Sequence, residues 1–350
     1  MKIWLLSDTH IGFKNGSREW FAIFNDFLEN YLYPLFEENV GKDDVLIHCG
    51  DVFDDRQSIN LTAMNIAIGM FEKLGKMFAH THVICGNHDV QNNNSNDIAS
   101  IDCLKYIPDT SIYKTQTVVK VGGKTINLVP WENDNTKLLS QMVDNPCDYT
   151  FCHAEMIGAT WNASGMLSKN GVDLKELKNI KNIYSGHIHH RHKIKNTTYV
   201  GSPYSMSMND AGNEKGVYSI DLDTGGVVFH PNNISPKFEK KNYEELKGKT
   251  EEEITKYLKN KFVDIVVDSK EVGDKPLQKF LNGTTAKSTA RNINIKVTGE
   301  EQNPINIEMP KISETMSLEE MMDSYINDVL VCDDKTRELV RIVSKRLLHG

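Results

Sequence analysis

Five short groups of acidic, amide and imidazole side chains lie in the first half of the chain, and each follows a run of aliphatic residues. They are Asp8-Thr-His10, Gly50-Asp51, Gly86-Asn87-His88-Asp89, His153, and Gly186-His187-Ile-His189. Their donors are oxygen and nitrogen atoms without thiolate, a set that suits Mn, Fe or Zn better than Ca and is rich in imidazole for Mg. The groups therefore point to metal binding.

Seven of these side chains are potential ligands, which is too many for one ion. Two metals that share a bridging carboxylate fit the number, and such hydrolytic pairs stand about 3.5–4 Å apart. In Asp8-x-His10 and His187-x-His189, the two named residues are two positions apart at the end of a strand. Their side chains can therefore point in the same direction and bind the same ion. A single histidine of this kind is more often a packing residue, but the five groups together favour a dinuclear site.

The elements that must position these groups form an α/β pattern. Short aliphatic runs predict strands, and an apolar residue at every third or fourth position predicts helices. The predicted strands cover 3–7, 45–49, 82–85, 126–130, 149–152, 182–185 and 198–200, with helices at 17–38 and 58–78. Because the carboxyl ends of strands in an open α/β sheet converge on one crevice, the five groups are expected to meet there.

The pattern of predicted secondary structure changes after Gly226. Pro231 and Pro236 bracket a linker, and the residues that follow predict a small α+β unit with helices at 250–261 and 276–281 and strands at 263–267 and 293–297. A polar stretch at 299–312 then leads to Ser317-Leu-Glu-Glu320, a capping-box pattern, and to two helices, the second at 334–348. The predicted domains are 1–235, 236–299 and 300–350.

The composition excludes several classes of protein. The 350 residues are 39% hydrophobic and 25% charged, which is enough for real cores and excludes fibrous and wholly disordered chains. No segment reads as a membrane span or signal peptide, and six cysteines without a C-x-x-C pair suggest free thiols in a reducing compartment. We expect a cytoplasmic protein, in the host cytoplasm if the source is viral. The net charge of −8 means that a polyanion must be held locally.

The order and spacing of the five groups resemble the motif series of the calcineurin-like metallophosphoesterase superfamily. Three further stretches are similar to recombination nucleases of the SbcD type: Gly50-Asp-Val-Phe-Asp54, residues 184–192, and residues 199–207. The chain lacks the closing Gly of the GDxVDRG run that is typical of the protein phosphatases. The resemblance implies a β-sandwich flanked by helices, a small α+β capping domain that carries DNA, and a C-terminal helical segment.

The resemblance also implies the roles of individual residues. One metal would take Asp8, His10, Asp51 and His189, and the other Asp51, Asn87, His153 and His187, with Asp51 as the bridge. His88 would be the non-ligand catalytic histidine, acting as a transition-state stabiliser or as a proton donor. Two Mn²⁺ ions are the expected cofactors, with Mg²⁺ as an alternative occupant. Asp54 and Asp89 read as partners that support ligands.

Other residues are predicted to contact the substrate. The basic run after the last ligand group could hold DNA phosphates through Arg191, His192 and Lys193, although a solvated turn is the plainer interpretation. Trp131 follows a predicted strand. Core burial is favoured for it over base stacking.

The implied partners are DNA, a second copy of the chain, and an SMC-like ATPase large subunit of the SbcC type. A stripe of Leu61, Met64, Ile68 and Phe71 offers a dimer face, unless it is simply a core face. Apolar residues near the C-terminus suggest a docking helix for the ATPase or a helix folded on its neighbour: Met321, Met322, Tyr325, Ile326 and Val329.

The sequence therefore predicts a Mn-dependent DNA nuclease, with double-strand 3′-to-5′ exonuclease and single-strand endonuclease activity, working in recombination or repair by two-metal phosphodiester hydrolysis. A metal-dependent phosphodiesterase for small substrates is the alternative. A scaffold with a dead site is disfavoured, because every ligand position still holds a liganding residue type.

Overall fold

A computed structural model describes residues 1–56, 58–92, 95–268 and 290–298. The predicted helix at 276–281, the polar stretch at 299–312 and both predicted C-terminal helices, with the proposed ATPase-docking residues, lie outside these residues. The chain divides into two compact units. The first takes in Met1–Val266 and the described residues up to Ile295, and the second lies almost wholly outside the described ranges.

Two six-stranded sheets form the body of the first unit. The first sheet has the order β14-β13-β1-β2-β3-β6. Its strands are β1 (Lys2–Leu6), β2 (Val45–His48), β3 (His80–Ile84), β6 (Thr110–Tyr113), β13 (Gly216–Asp221) and β14 (Val227–Pro231). The four neighbouring strands β1, β2, β3 and β6 are parallel. Their carboxyl ends therefore lie at one edge of the sheet.

The second sheet has the order β11-β12-β10-β9-β8-β7. Its strands are β7 (Thr117–Val121), β8 (Lys124–Val129), β9 (Tyr149–His153), β10 (Ile183–Gly186), β11 (His192–Ile194) and β12 (Thr197–Tyr199). Here β8, β9, β10 and β12 are parallel. A separate hairpin, β4 (Val90–Asn92) and β5 (Ser95–Ala99), follows the third ligand group.

Alternation along the strands explains how the sheets pack. In β1, Ile3 and Leu5 pack with Phe151 of the second sheet in a core between the sheets, while Trp4 and Leu6 point to the helices on the outer face. Successive side chains of a strand face opposite sides, so a strand with both faces covered is apolar throughout. A third core, around Leu177, covers the outer face of the second sheet. The predicted helix-flanked sandwich is confirmed.

The α-helices within residues 1–235 are α1 (Phe13–Gly16, a single turn), α2 (Arg18–Phe27), α3 (Tyr33–Asn39), α4 (Leu61–Met77) and α5 (Asn135–Val143). The predicted helix at 17–38 is observed as α2 and α3 joined by a π-helical turn, Leu28–Leu32. Pro34 stands at the start of α3, where its ring and missing N–H are incompatible with a regular helix through this point.

The apolar stripe on α4 does not form a single face. Phe71 is buried, Met64 and Ile68 are half-buried, and Leu61 is 77% exposed. The stripe as a whole is therefore neither a buried core face nor an exposed surface available for dimerisation. The helix instead turns a neighbouring face to the sheet, where small Ala63 and Ala67 allow close approach beside Met70 and Leu74.

The small α+β unit contains β15 (Lys237–Asn242), α6 (Glu251–Leu258), β16 (Lys261–Asp268) and β17 (Asn292–Thr298), with the sheet order β15-β16-β17. Trp20 of α2 stacks on Phe262 at 5.8 Å and on Phe238 at 6.4 Å between ring centroids. These three rings join the small sheet to the helical face of the sandwich. No helix within the described ranges is both long and apolar enough to cross a bilayer.

Candidate metal centre

The five ligand groups come together where the two sheets meet. Asp8 and His10 follow β1, Asp51 follows β2, and Asn87 follows β3; His153 ends β9, and His187 and His189 follow β10. The backbone turns sharply at these points. Asp8, His10, Asp51 and His187 all have positive φ, between 43° and 77°, which is uncommon for residues other than glycine. Strain of this kind concentrates at functional sites.

The first cluster contains Asp8, His10 and His189, whose potential ligand atoms lie within 4.8 Å of one another. His10 Nε2 and His189 Nε2 are 3.0 Å apart. Asp8 Oδ1 accepts a hydrogen bond from the backbone N–H of His187, and Asp8 Oδ2 accepts one from Ser7 Oγ. Two imidazole nitrogens at this separation are held together well by a cation that both can bind.

The second cluster contains Asp51, His153 and His187, which also lie within 4.8 Å of one another. Asn87 Oδ1 is 2.9 Å from His153 Nε2 and 2.8 Å from His187 Nδ1. Asp51 joins the clusters, because its Oδ2 lies 3.5 Å from His10 Nε2 and 3.3 Å from His153 Nε2. The structure thus places all seven predicted ligands around two adjacent points, with Asp51 between them.

The donor set and its protonation fit two divalent ions. His153 Nδ1 donates to the carbonyl oxygen of Cys49, which leaves Nε2 to bind a metal when the ring is neutral. Burial opposes the protonation of His153, but the Asp51 carboxylate raises the pKa of His153 to about 9. Burial lowers the pKa of His187 to about 3. Positive charge is therefore favoured where His153 faces Asp51. A bound cation would provide that charge in place of the His153 proton, which is released when the metal binds.

His88 stands beside the clusters. Its backbone N–H donates to Asp51 Oδ1 at 2.7 Å, and its Nδ1 donates to the carbonyl oxygen of Asp54 at 2.7 Å. One ring nitrogen lies within 4.8 Å of donors from His10 and Asp51. With Nδ1 held by Asp54, Nε2 is the nitrogen that can act on a substrate. Burial lowers the pKa of His88.

Two acidic residues of the motifs support the ligands. Asp54 Oδ1 is 3.0 Å from His10 Nδ1, which fixes the orientation of that ring. Asp89 is buried and accepts backbone N–H bonds from Val52, Phe53 and Gly86. Asp89 thereby ties the turn that carries Asp51 to the turn that carries Asn87.

Close backbone approach explains two of the glycines. A Cβ on Gly86 would lie 2.2 Å from both the backbone N and Oδ1 of Asp51. A Cβ on Gly186 would lie 2.3 Å from Ser7 Oγ. These separations are below any van der Waals contact, so the strand ends can come this close only without a side chain.

The predicted phosphate-binding residues occupy different environments. Arg191 pairs with Glu214 at 3.0 Å and lies over the ring of Phe229. His192 Nε2 accepts a hydrogen bond from the backbone N–H of Thr160. Lys193 is exposed.

Sequence reasoning missed Trp161 and Lys215 near the centre, and it favoured core burial over base stacking for a third residue there, Trp131. Trp131, placed among core residues by the sequence, is half-buried and packs at 5.0 Å from His187 between centroids. Trp161 contacts the same imidazole edge-on at 5.3 Å. Lys215 is buried and donates to the carbonyl oxygen of His189 and to Asp210, both at 2.6 Å. Single residues of these types carry no motif, so only the fold could show their positions.

The fold and the site define a metal-dependent phosphoesterase. Residues 1–191 match the family model described as calcineurin-like phosphoesterase, and the chain belongs to that family. Enzymes of this family use divalent metals. The expected superfamily and the expected class of enzyme are confirmed.

Similar proteins include viral ones. The chain is 28% identical over 344 residues to exonuclease subunit 1 of Enterobacteria phage T4, which covers 97% of this chain and 96% of the phage protein. It is 23% identical over 185 residues to the putative phosphoesterase 244L of Invertebrate iridescent virus 6, covering 51% and 64%. Among solved structures, a novel archaeal phosphodiesterase aligns with 66% of this chain and 100% of its own, at 14% identity and a TM-score of 0.36.

Proposed function

We propose that this chain is a Mn²⁺-dependent DNA nuclease, with 3′-to-5′ exonuclease activity on duplex DNA and endonuclease activity on single strands. The observation that carries the proposal is the pair of clusters sharing Asp51 within a calcineurin-like phosphoesterase. The T4 protein, named as an exonuclease subunit, is similar along nearly its whole length, which favours DNA as the substrate.

The residues of the chain would divide the work as follows. Asp8, His10, Asp51 and His189 would hold one ion, and Asp51, Asn87, His153 and His187 the other. Bound divalent ions would supply Lewis-acid polarisation of the phosphodiester and a more acidic water. His88 would face the reacting phosphate through Nε2, either stabilising the charge that develops on phosphorus or giving a proton to the leaving oxygen.

The centre is also compatible with a polyanion despite the acidic chain. The two ligand carboxylates contribute about −2 and two divalent ions about +4, so the loaded pocket carries about +2. The exposed side chain of Lys193 lies on β11, in the strand that follows the last ligand group. We propose Arg191, His192 and Lys193 as phosphate contacts, of which Lys193 needs no internal bond to be broken.

The proposed setting is a cytoplasmic recombination or repair complex. A second copy of the chain and an SMC-like ATPase would help to position the duplex. Met321, Met322, Tyr325, Ile326 and Val329 are proposed as the ATPase-binding residues. The small unit at 236–299 is proposed as a cap that carries DNA.

The test is a cleavage assay with the purified chain and Mn²⁺. We expect the wild-type protein to shorten blunt duplex DNA from its 3′ ends and to cut circular single strands. Asp8→Ala removes a ligand and His88→Asn removes the catalytic imidazole, so each variant should fold and lose activity by at least about 100-fold. His80→Asn is the matched control, because His80 hydrogen-bonds to Ser111 at the start of β3, the end of the strand opposite to the ligand Asn87.

Three results would contradict the proposal. Full cleavage by both Asp8→Ala and His88→Asn would show that the activity is not that of this site. Rapid hydrolysis of bis(4-nitrophenyl) phosphate without any DNA cleavage, with or without an added ATPase, would favour the small-substrate phosphodiesterase. A protein that binds no metal and hydrolyses neither substrate would be the inactive scaffold.

A further inference from the structure

The loop at 156–168, between β9 and β10, presents apolar side chains to solvent beside the metal centre. Ile157 is 43% exposed, Met166 56% and Leu167 55%. The loop folds back on itself through a bridge between Thr160 and Leu167, and the backbone N–H of Trp161 donates to the carbonyl oxygen of Met166. Several exposed large apolar side chains in one short loop mark a binding surface more often than chance exposure.

Trp161 connects this loop to the proposed chemistry. Its ring contacts the imidazole of His187 edge-on at 5.3 Å between centroids, and it is only half-buried. Trp131 packs on the same imidazole at 5.0 Å. A ligand held against Trp161 would thus lie within a few ångströms of the second cluster.

The charge around the loop favours an anionic ligand. Residues 156–172 and 187–209 contain no Asp or Glu, although the whole chain has 48 of them and a net charge of −8. The acidic side chain that borders the loop is Glu155, which accepts a hydrogen bond from Ser168 and lies 4.0 Å from His187 Nε2. The two segments are in contact, because Thr160 N–H donates to His192 Nε2 at 3.0 Å. Lys169, Lys193 and Lys195 are exposed on these segments. An apolar and aromatic surface bordered by lysines is the composition of single-strand binding surfaces.

We propose that the 156–168 loop is a subsite for an unpaired nucleobase next to the scissile phosphate, with Trp161 as the stacking surface. The inference rests on the proposed nuclease function and adds to it a means of selecting substrate. A base inside a duplex is already stacked on its neighbours and cannot offer its face to Trp161. The subsite therefore favours single strands and frayed ends.

The test compares Trp161→Ala with the conservative Trp161→Phe. Binding of a 5′-labelled single-stranded oligonucleotide is followed by anisotropy, once with all bases present and once with an abasic residue at each successive position. We expect Trp161→Ala to weaken binding of the intact strand about 5- to 100-fold and Trp161→Phe to restore most of it. One abasic position should abolish the difference between wild type and Trp161→Ala. Tyr106→Ala, which removes an aromatic ring that is 84% exposed elsewhere, is the matched control.

A titration with Mn²⁺ separates stacking from support of the metal site. If Trp161→Ala lowers Mn²⁺ affinity as much as strand binding, or weakens the abasic strands as much as the intact one, then Trp161 only holds His187 in place and the subsite does not exist. Unchanged binding by Trp161→Ala would overturn it equally. Failure of the nuclease proposal looks different, since the wild-type protein itself would then neither bind nor cut DNA.

Discussion

At the scale of single residues, partners outside the ligand set fix the orientation of several ligands, among them Asp8, His10 and His153. Asp54 is the clearest case, because one carboxylate oxygen contacts His10 Nδ1 and the carbonyl oxygen of the same residue accepts from His88 Nδ1. Asp54 therefore orients both a ligand and the catalytic candidate. Partners of this kind usually change metal affinity or activity 10- to 100-fold when they are replaced.

Asp54→Ala should weaken Mn²⁺ binding by about 10- to 100-fold, because His10 loses the bond that fixes its tautomer and ring plane. Isothermal titration calorimetry measures the affinity. The neighbouring Asp55→Ala is the control, since the Asp55 carboxylate bonds to Ser58 in an exposed turn. Equal affinities for the Asp54 and Asp55 variants would show that His10 needs no such support.

The residue types and their order were enough to identify the seven donors as candidate ligands, since few functions other than metal binding require Asp, Asn and His at the ends of five strands. The choice of His88 as the catalytic histidine needed the resemblance to the superfamily. The same reasoning could not find Trp161 or Lys215. Their importance depends on distances to His187 and His189 across more than twenty residues of sequence. Nothing in the local pattern around either residue signals such a distance.

At the scale of elements, the site depends on how closely the strand ends approach one another. The turn after β3 passes over the turn after β2, with Gly86 directly against Asp51. Asp89 then bonds both turns from within the protein. The two turns are therefore structurally coupled, and a substitution in either should shift the position of the Asp51 carboxylate.

Gly86→Ala should displace Asp51, cost about 1–3 kcal/mol of stability through overpacking and reduce Mn²⁺ binding. Urea unfolding and a metal titration measure the two effects. Gly69→Ala is the matched control in α4, where an added methyl group meets nothing within 4 Å. That variant should be unchanged or more stable by up to about 1 kcal/mol. Similar behaviour of the two variants would refute this role for Gly86.

The strands that carry chemistry were the predictable ones. All nine strands expected from the sequence are present, with ends that differ by at most two residues. Eight strands in the described ranges were not predicted, because they are short or mix polar with apolar residues and so give no strong period: β4, β5, β6, β7, β11, β13, β14 and β15. The helix α5 was missed for a similar reason, although Asp134 caps its start. The π-helical turn between α2 and α3 could not be predicted, because the sequence does not show how the helix accommodates Pro34.

At the scale of the whole molecule, the metal centre lies on the seam between two sheets. The first sheet contributes the ligands that follow β1, β2 and β3, and the second contributes those of β9 and β10. Ions bound at this seam would cross-link the two halves of the sandwich. Metal binding and folding should therefore be thermodynamically coupled.

The free energy of unfolding should rise with Mn²⁺ concentration by about 1.4 kcal/mol per tenfold increase for each bound ion, once both sites are near saturation. Two ions give about 2.8 kcal/mol, measured by urea unfolding at fixed Mn²⁺ concentrations. Asp51→Asn, which weakens the bridge with little change in shape, should lower this slope. A wild-type slope near 1.4 kcal/mol would mean that a single ion is bound.

The left-handed backbone at Asp8, His10, Asp51 and His187 has an evolutionary consequence. Glycine adopts these dihedral angles without a steric penalty, whereas each of the present residues has to be forced into them by the surrounding sheets. Natural selection for hydrolysis must continually oppose mutations that would relax these turns. A duplicated gene copy selected for stability but not for hydrolysis would tolerate glycine at these positions, and its product would be more stable and inactive.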